Sequence, residues 1–219
     1  NDPRFIAKLR PYLLKVFELV KPLLCTNGGP IIAMQVENEY GSYGNDKEYL
    51  LATERIYREC GIDCLLFTSD GSCDWMLSGG SLPHLLTTVN FGSHPEENFK
   101  GLRWFKQGEP LMCTEFWSGW FDHWYEEHHT RTPEDIAKDL QVLLDSGASF
   151  NFYMFHGGTN FGFTNGANHA DGQYQKNKYH KSENRNHRQC GQLTPSAGKW
   201  CMWLHFQNGR RGKTAGSLL

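Results

Sequence analysis

The chain has 219 residues, 39% of them hydrophobic, 14% aromatic and 21% charged, with a net charge of −2. That size and balance suit one sizeable core of a globular enzyme rich in rings. No apolar run approaches the roughly 18 residues that span a bilayer, which excludes a membrane helix.

Charge is unevenly divided. Residues 1–175 carry 13 Lys and Arg against 23 Asp and Glu, whereas 176–219 carry 9 against 1. This basic end lacks amphipathic period and interleaves Gly, Asn, His and two Trp, so it is expected to be an aberrant or disordered tail rather than a nucleic-acid contact. The N-terminus shows neither an initiator Met nor a signal-peptide cleavage pattern, and no Asn-x-Ser/Thr acceptor occurs. The expectation is a soluble protein, leaning cytoplasmic, whose start lies upstream.

In chain order, Asp2 and Pro3 cap a helix in which Ile6, Leu9, Leu13, Val16, Val20 and Leu24 recur at three- and four-residue steps, about five turns bent near Pro11. Gly28, Gly29 and Pro30 end it, and IIAMQV reads as a buried strand. Asn45 or Asp46 caps a second helix through YLLATERIYREC, and CLLFTSD is the next strand. HLLTTVNFG is a third strand, Glu96 to Phe105 an amphipathic stretch, and PLMCTEF a fourth strand. Thr132, Pro133 and Asp135 open a further helix with Ile136, Leu140, Leu143 and Leu144 inward, and SFNFYMFHGG is a fifth strand. Strands alternating with helices mean a parallel sheet. With no Gly-rich phosphate fingerprint after the first strand, a (β/α)8 barrel fits better than a dinucleotide-binding sheet.

Two of these strands end in a glutamate, Glu39 and Glu115. Carboxylates on separate barrel strands can face one another across a pocket, and an acid and a nucleophile about 5 to 5.5 Å apart cleave glycosidic bonds with retention. Period-two alternation puts Gln35 and Glu37 on the face of Glu39, so the residues alone do not rank Glu37 against Glu39. The seven cysteines are odd in number and irregularly spaced, and are read as mostly reduced core thiols. His123, His128 and His129 lack the spacing of a zinc site, so no metal is expected.

GGPIIAMQVENEYGSYG, PLMCTEFWSGWFDHW and NFYMFHGGTNFGFTNGAN resemble the blocks of the glycoside hydrolase family 35 β-galactosidases in content, order and spacing, over roughly residues 1–175. The resemblance implies a TIM barrel that removes terminal, non-reducing β-linked galactose with retention, without a metal or organic cofactor. It implies Glu39 as general acid/base, Glu115 as nucleophile and Asn38 as the holder of the sugar 2-hydroxyl. Glu37 becomes a structural polar residue hydrogen-bonding within the barrel. Tyr153 matches a family tyrosine that donates to the nucleophile or the sugar ring. Trp117 and Trp120 either wall the sugar subsite or pack the barrel, and His156 either lines the pocket or belongs to the core.

The sequence also departs from that pattern. Family contacts from earlier strands are absent, and KNKYHKSENRNHRQCGQL stands where the family has a tyrosine-bearing loop. The expectation is therefore an incomplete barrel, about strands four to eight, with 176–219 outside the folded unit and weak or no activity in the chain by itself. The expected partner is a β-galactoside, with no nucleic acid and no membrane. A sugar-binding remnant and a related retaining barrel glycosidase of other sugar specificity remain the alternatives.

Overall fold

The computed structural model describes residues 2–120 and 129–155, with the backbone of 169–170 and 173–174. Helix α1 spans Pro3–Val20, and the Asp2 carboxylate accepts from the Arg4 backbone N–H at 2.8 Å. The helix carries Pro11 internally, as expected, and turns Leu13 and Phe17 into the core. Gly28, in the left-handed region at φ 82°, reverses the chain toward the first strand.

Five parallel strands follow: β1 (Ala33–Gln35), β2 (Leu65–Asp70), β3 (Leu86–Phe91), β4 (Met112–Phe116) and β5 (Ser149–Phe152). Their spatial order is their chain order, and each pairs in parallel with the next. The crossovers are α2 (Lys47–Glu59), α3 (Asp74–Gly80), α4 (Pro95–Phe105) and α5 (Pro133–Asp145). A sequential order without reversal, each parallel pair joined through a helix, is that of a curling sheet, and this is an incomplete (β/α)8 barrel.

The predicted caps of α2 and α5 are present: Asp46 accepts from the Tyr49 N–H at 3.2 Å and Thr132 from the Asp135 N–H at 3.1 Å. All five expected strands are shorter in the structure, IIAMQV and SFNFYMFHGG among them. IIAMQV keeps three residues of ladder and SFNFYMFHGG four, because the chain leaves the sheet to build the loops at its C-terminal edge.

Helix α3 and a two-stranded antiparallel hairpin, β6 (His169–Ala170) with β7 (Gln173–Tyr174), were not visible in the sequence. Ser78, Gly79 and Gly80 hide α3, since they argue against a helix by propensity. They are there for close approach: a Cβ on Gly79 would lie 2.7 Å from the Gly44 carbonyl, and one on Gly41 would run into the Met76 carbonyl. Lys47 then caps the C-terminal end of α3, its Nζ donating to the carbonyls of Ser78, Gly79 and Ser81.

Two apolar clusters lie between sheet and helices. One joins Phe17, Leu24, Leu50, Ile56, Ile62 and Leu66, the other Leu77, Val89, Phe91, Phe99, Phe116 and Leu143. Of the expected inward residues of α5, Leu143 is fully buried, while Ile136, Leu140 and Leu144 pack partly buried beside it. The described cysteines are all free thiols, but Cys25 and Cys73 are exposed rather than in the core. Cys190 and Cys201 lie outside the described residues, as does the whole of 176–219. No helix among the described residues is long and apolar enough to cross a membrane.

Candidate active site

The loop after β1 gives Glu37 and Glu39 different partners. The last ladder bond runs from the Val36 N–H to the Phe67 carbonyl at 2.8 Å, after which Glu37 and Glu39 both take left-handed backbone at φ 64° and 50°. Strand alternation therefore stops before it reaches them, and the expectation that they share a face is incorrect. The Glu37 carboxylate accepts from the Tyr49 hydroxyl of α2 and from the Asn38 N–H, so it is engaged by the helix layer rather than across the barrel. Glu39 turns to the strand ends: its N–H donates to the Ser69 carbonyl at 3.0 Å and its Oε1 accepts from Asn90 Nδ2 at 3.0 Å. Gln35 is structural, donating through Nε2 to the Glu37 carbonyl and to Asn38 Oδ1.

Glu115 reaches the site through a β-bulge. Val89 pairs with Cys113 but Asn90 pairs with Glu115, so Thr114 is an extra residue on β4. Cys113 and Phe116 pack in the helix-side core, while the Thr114 hydroxyl meets Asn90 Oδ1 at 3.0 Å on the opposite face. Under strict alternation Glu115 would follow Cys113 into the apolar core. The bulge reverses its direction and sets it beside Asn90 on the face that holds Glu39. Trp117 Nε1 donates to Glu115 Oε2 at 3.0 Å. Burial raises the Glu115 carboxyl above the ordinary range, the Trp117 hydrogen bond opposes that, and the charge of Glu39 adds to it.

Asn90 and Asp70 organise this face, and the sequence reading singled out neither. Asn90 is 2% exposed and accepts from Ser69 Oγ at 2.6 Å and Thr114 Oγ1 at 3.0 Å, which leaves its amide N–H to hold Glu39. Thr88 completes the polar layer through Thr114 at 2.8 Å. Asp70 is 1% exposed and accepts from the Gly41 N–H at 2.8 Å, two residues past Glu39. Burial pushes its carboxyl up to about 6, opposed by the Gly41 bond, with Glu39 raising it and Lys47 lowering it. A lone Asp or Asn inside an apolar strand was the available signal, since a buried polar side chain must find partners.

Of the other expected residues, Asn38 is exposed beside Glu39, bound by Gln35. Tyr153 follows β5, with its N–H on the Phe116 carbonyl at 3.1 Å; burial raises its phenol, and the charges of Glu115 and Glu39 add to that. Trp120 is 45% exposed and stands edge-on to Trp117 with ring centroids 5.3 Å apart. The structure thus brings Glu39, Glu115 and Tyr153 within each other's electrostatic reach, with Trp117 on Glu115 and Asn38 exposed beside Glu39. A cavity of about 620 Å³ opens alongside, lined by Cys73, Asn90, His94, Trp117, Trp120 and Arg131 among others. His123, His128 and His156 lie outside the described residues. Among the described residues no group of three His, Cys, Asp or Glu could hold a metal ion.

Two half-buried carboxylates with different partners, one on an amide and one on an indole, can divide proton donation from nucleophilic attack. The sequence comparisons agree in kind. The profile of glycosyl hydrolases family 35 matches residues 1–187. A β-galactosidase of Xanthomonas manihotis is 47% identical over 170 residues, covering 77% of this chain and 28% of that protein. The β-galactosidases of Macaca fascicularis and Homo sapiens are 45% and 44% identical over 172 residues, 77% of this chain and 25% of each. The chain spans about a quarter of the length of the curated relatives it matches.

Proposed function

The chain belongs to glycosyl hydrolases family 35, and we propose that the protein carrying it is a retaining β-galactosidase acting on terminal, non-reducing β-D-galactose. The observation that carries this reading is the convergence on Asn90: its amide holds Glu39 at 3.0 Å and its backbone is paired with Glu115. Two carboxylates from non-adjacent strands are thereby aimed at one place.

In the first step Glu115 attacks the anomeric carbon while Glu39 gives its proton to the departing oxygen, so the glycosidic bond breaks as the galactosyl ester forms. In the second step Glu39, now ionised, takes a proton from water as that water attacks the anomeric carbon from the side the leaving group left, breaking the ester to Glu115 on the opposite side. Asn38 at the rim would hold the sugar 2-hydroxyl, and Tyr153 and Trp120 would bound the ring. The names of the relatives support galactose as the sugar, and retention is what the resemblance to the family implies.

A 2-fluorogalactoside with a good leaving group tests the reading, because it traps the covalent ester. Peptide mapping is expected to place the label on Glu115. A label on Glu37, Glu39 or any other residue would overturn the assignment.

A further inference from the structure

Trp117 is held at both ends of its peptide unit. Its N–H donates to the Phe91 carbonyl at 3.2 Å, and its carbonyl accepts from Arg131 Nη1 at 3.2 Å. The same guanidinium nitrogen donates to the Gly92 carbonyl, while Nη2 bonds Asp139 Oδ2 on α5 at 2.7 Å. Arg131 therefore ties the loops after β3 and β4 to a helix, using the rigid fork that a lysine lacks. Gly92 is the residue this contact permits, since a Cβ there would stand 2.7 Å from the Trp117 carbonyl oxygen and 3.0 Å from its Cβ. The indole is braced edge-on by Trp120, and its Nε1 ends 3.0 Å from Glu115 Oε2.

We propose that Trp117 is the positioning residue of the nucleophile: its indole N–H holds Oε2 of Glu115, leaving Oε1 for the anomeric carbon, and the Arg131 clamp fixes the indole for that task. This rests on the reading of Glu115 as nucleophile. A donor on the carboxylate favours the ionised form, and only that form attacks. Burial acts the other way, and so does Glu39 from the end of β1. Among the described residues, Tyr153 from the end of β5 and Cys113 on β4 also feel the charge of Glu115, and burial raises both, so they stay neutral at working pH. Trp117 is thus the donor that favours the charged form of a half-buried nucleophile.

Carboxyl carbon-13 titration of the chain, with Glu115 assigned by the signal lost in Glu115→Gln, tests this without needing turnover. In Trp117→Phe, which keeps a ring but removes the donor, the Glu115 midpoint is expected to rise by about one to two pH units, the scale of one lost hydrogen bond to a carboxylate. The acid limb of kcat/KM in the protein carrying this chain should move up with it. A packing role alone would lower stability and leave the midpoint in place, and that result overturns the proposal. Should Trp117→Phe fail to fold, Arg131→Lys decides: it retains the indole and the charge but loses the two-carbonyl grip, so the midpoint again rises, and an unmoved midpoint overturns the proposal. The 2-fluorogalactoside label separates the two claims, because a label away from Glu115 sinks the nucleophile assignment while the titration still reports whether Trp117 holds that carboxylate.

Discussion

Glu39 and Glu115 bear the same functional group with unlike partners, an amide N–H on one and an indole N–H on the other, and their proposed roles rest on the family the chain belongs to. Glu39→Gln, with the amide of Asn90 still beside it, is expected to lower turnover of galactosides with poor leaving groups by about two to four orders of magnitude, the scale of general acid catalysis. Activated aryl galactosides should lose much less, and equal losses on both would remove Glu39 from the acid role. Asp70, buried under the same loop, makes a stability prediction. Its carboxyl is raised from 3.8 to about 6, so between those pH values the folded chain keeps a proton that the unfolded chain has released. Its contribution therefore falls as pH rises from about 4 to about 6, by up to about 3 kcal/mol at about 1.4 kcal/mol per pH unit. Asp70→Asn still offers an acceptor to the Gly41 N–H and removes the titration. Urea unfolding at several pH values should give the variant a flatter profile than the parent, and parallel profiles would contradict the account.

At the scale of elements, the loops that carry Glu39 and Trp117 depend on close backbone approach. The 3-10 turn Tyr40–Ser42 begins directly after Glu39 and rests on α3 through Gly41. Gly41→Ala drives a methyl into the Met76 carbonyl, so it should displace Glu39 and reduce activity far more than a surface Gly→Ala change. Wild-type activity in a folded Gly41→Ala protein would show that the turn does not set Glu39. Helix α5 carries the Arg131 partner Asp139, and its capping threonine is a separable term. Thr132→Ala should cost about 1 kcal/mol in chemical denaturation. The helix and strand periods of α1, α2, α4 and α5 were legible because each buries one stripe or face. Helix α3 was not, because its glycines serve contacts with a turn that is remote in sequence.

Across the whole molecule, the two apolar clusters share a sheet but separate residue sets, one under α1 and α2, the other under α3, α4 and α5. Ile56→Val should cost about 0.5–1.5 kcal/mol and Leu143→Ala about 2–5, each deleting fully buried carbons. Because the sites share no partners, the double variant should equal the sum within about 0.5 kcal/mol. A larger discrepancy in a thermodynamic cycle would mean that the clusters form one cooperative unit.

The amino-acid sequence by itself determined the alternation of strands and helices, the parallel barrel class, and the candidacy of Glu39 and Glu115, since those depend on short-range periodicity and on blocks of contiguous residues. Tertiary structure alone decided which way those carboxylates point. Alternation assigns Glu37 to the face of Glu39 and Glu115 to the face of Cys113, and both assignments fail, because left-handed backbone at Glu37 and Glu39 and the bulge at Thr114 break the period where the site begins. It also decided the partners: Asn90 on Glu39, Asp70 under Gly41 and Trp117 on Glu115. The Asn90 and Asp70 contacts join residues about thirty to fifty positions apart, and the Trp117 contact joins neighbours only because Arg131 and Gly92 fix that loop. A repeat of two or 3.6 residues carries no information about which distant polar atoms will meet once water is excluded, and the packed strand ends supply it.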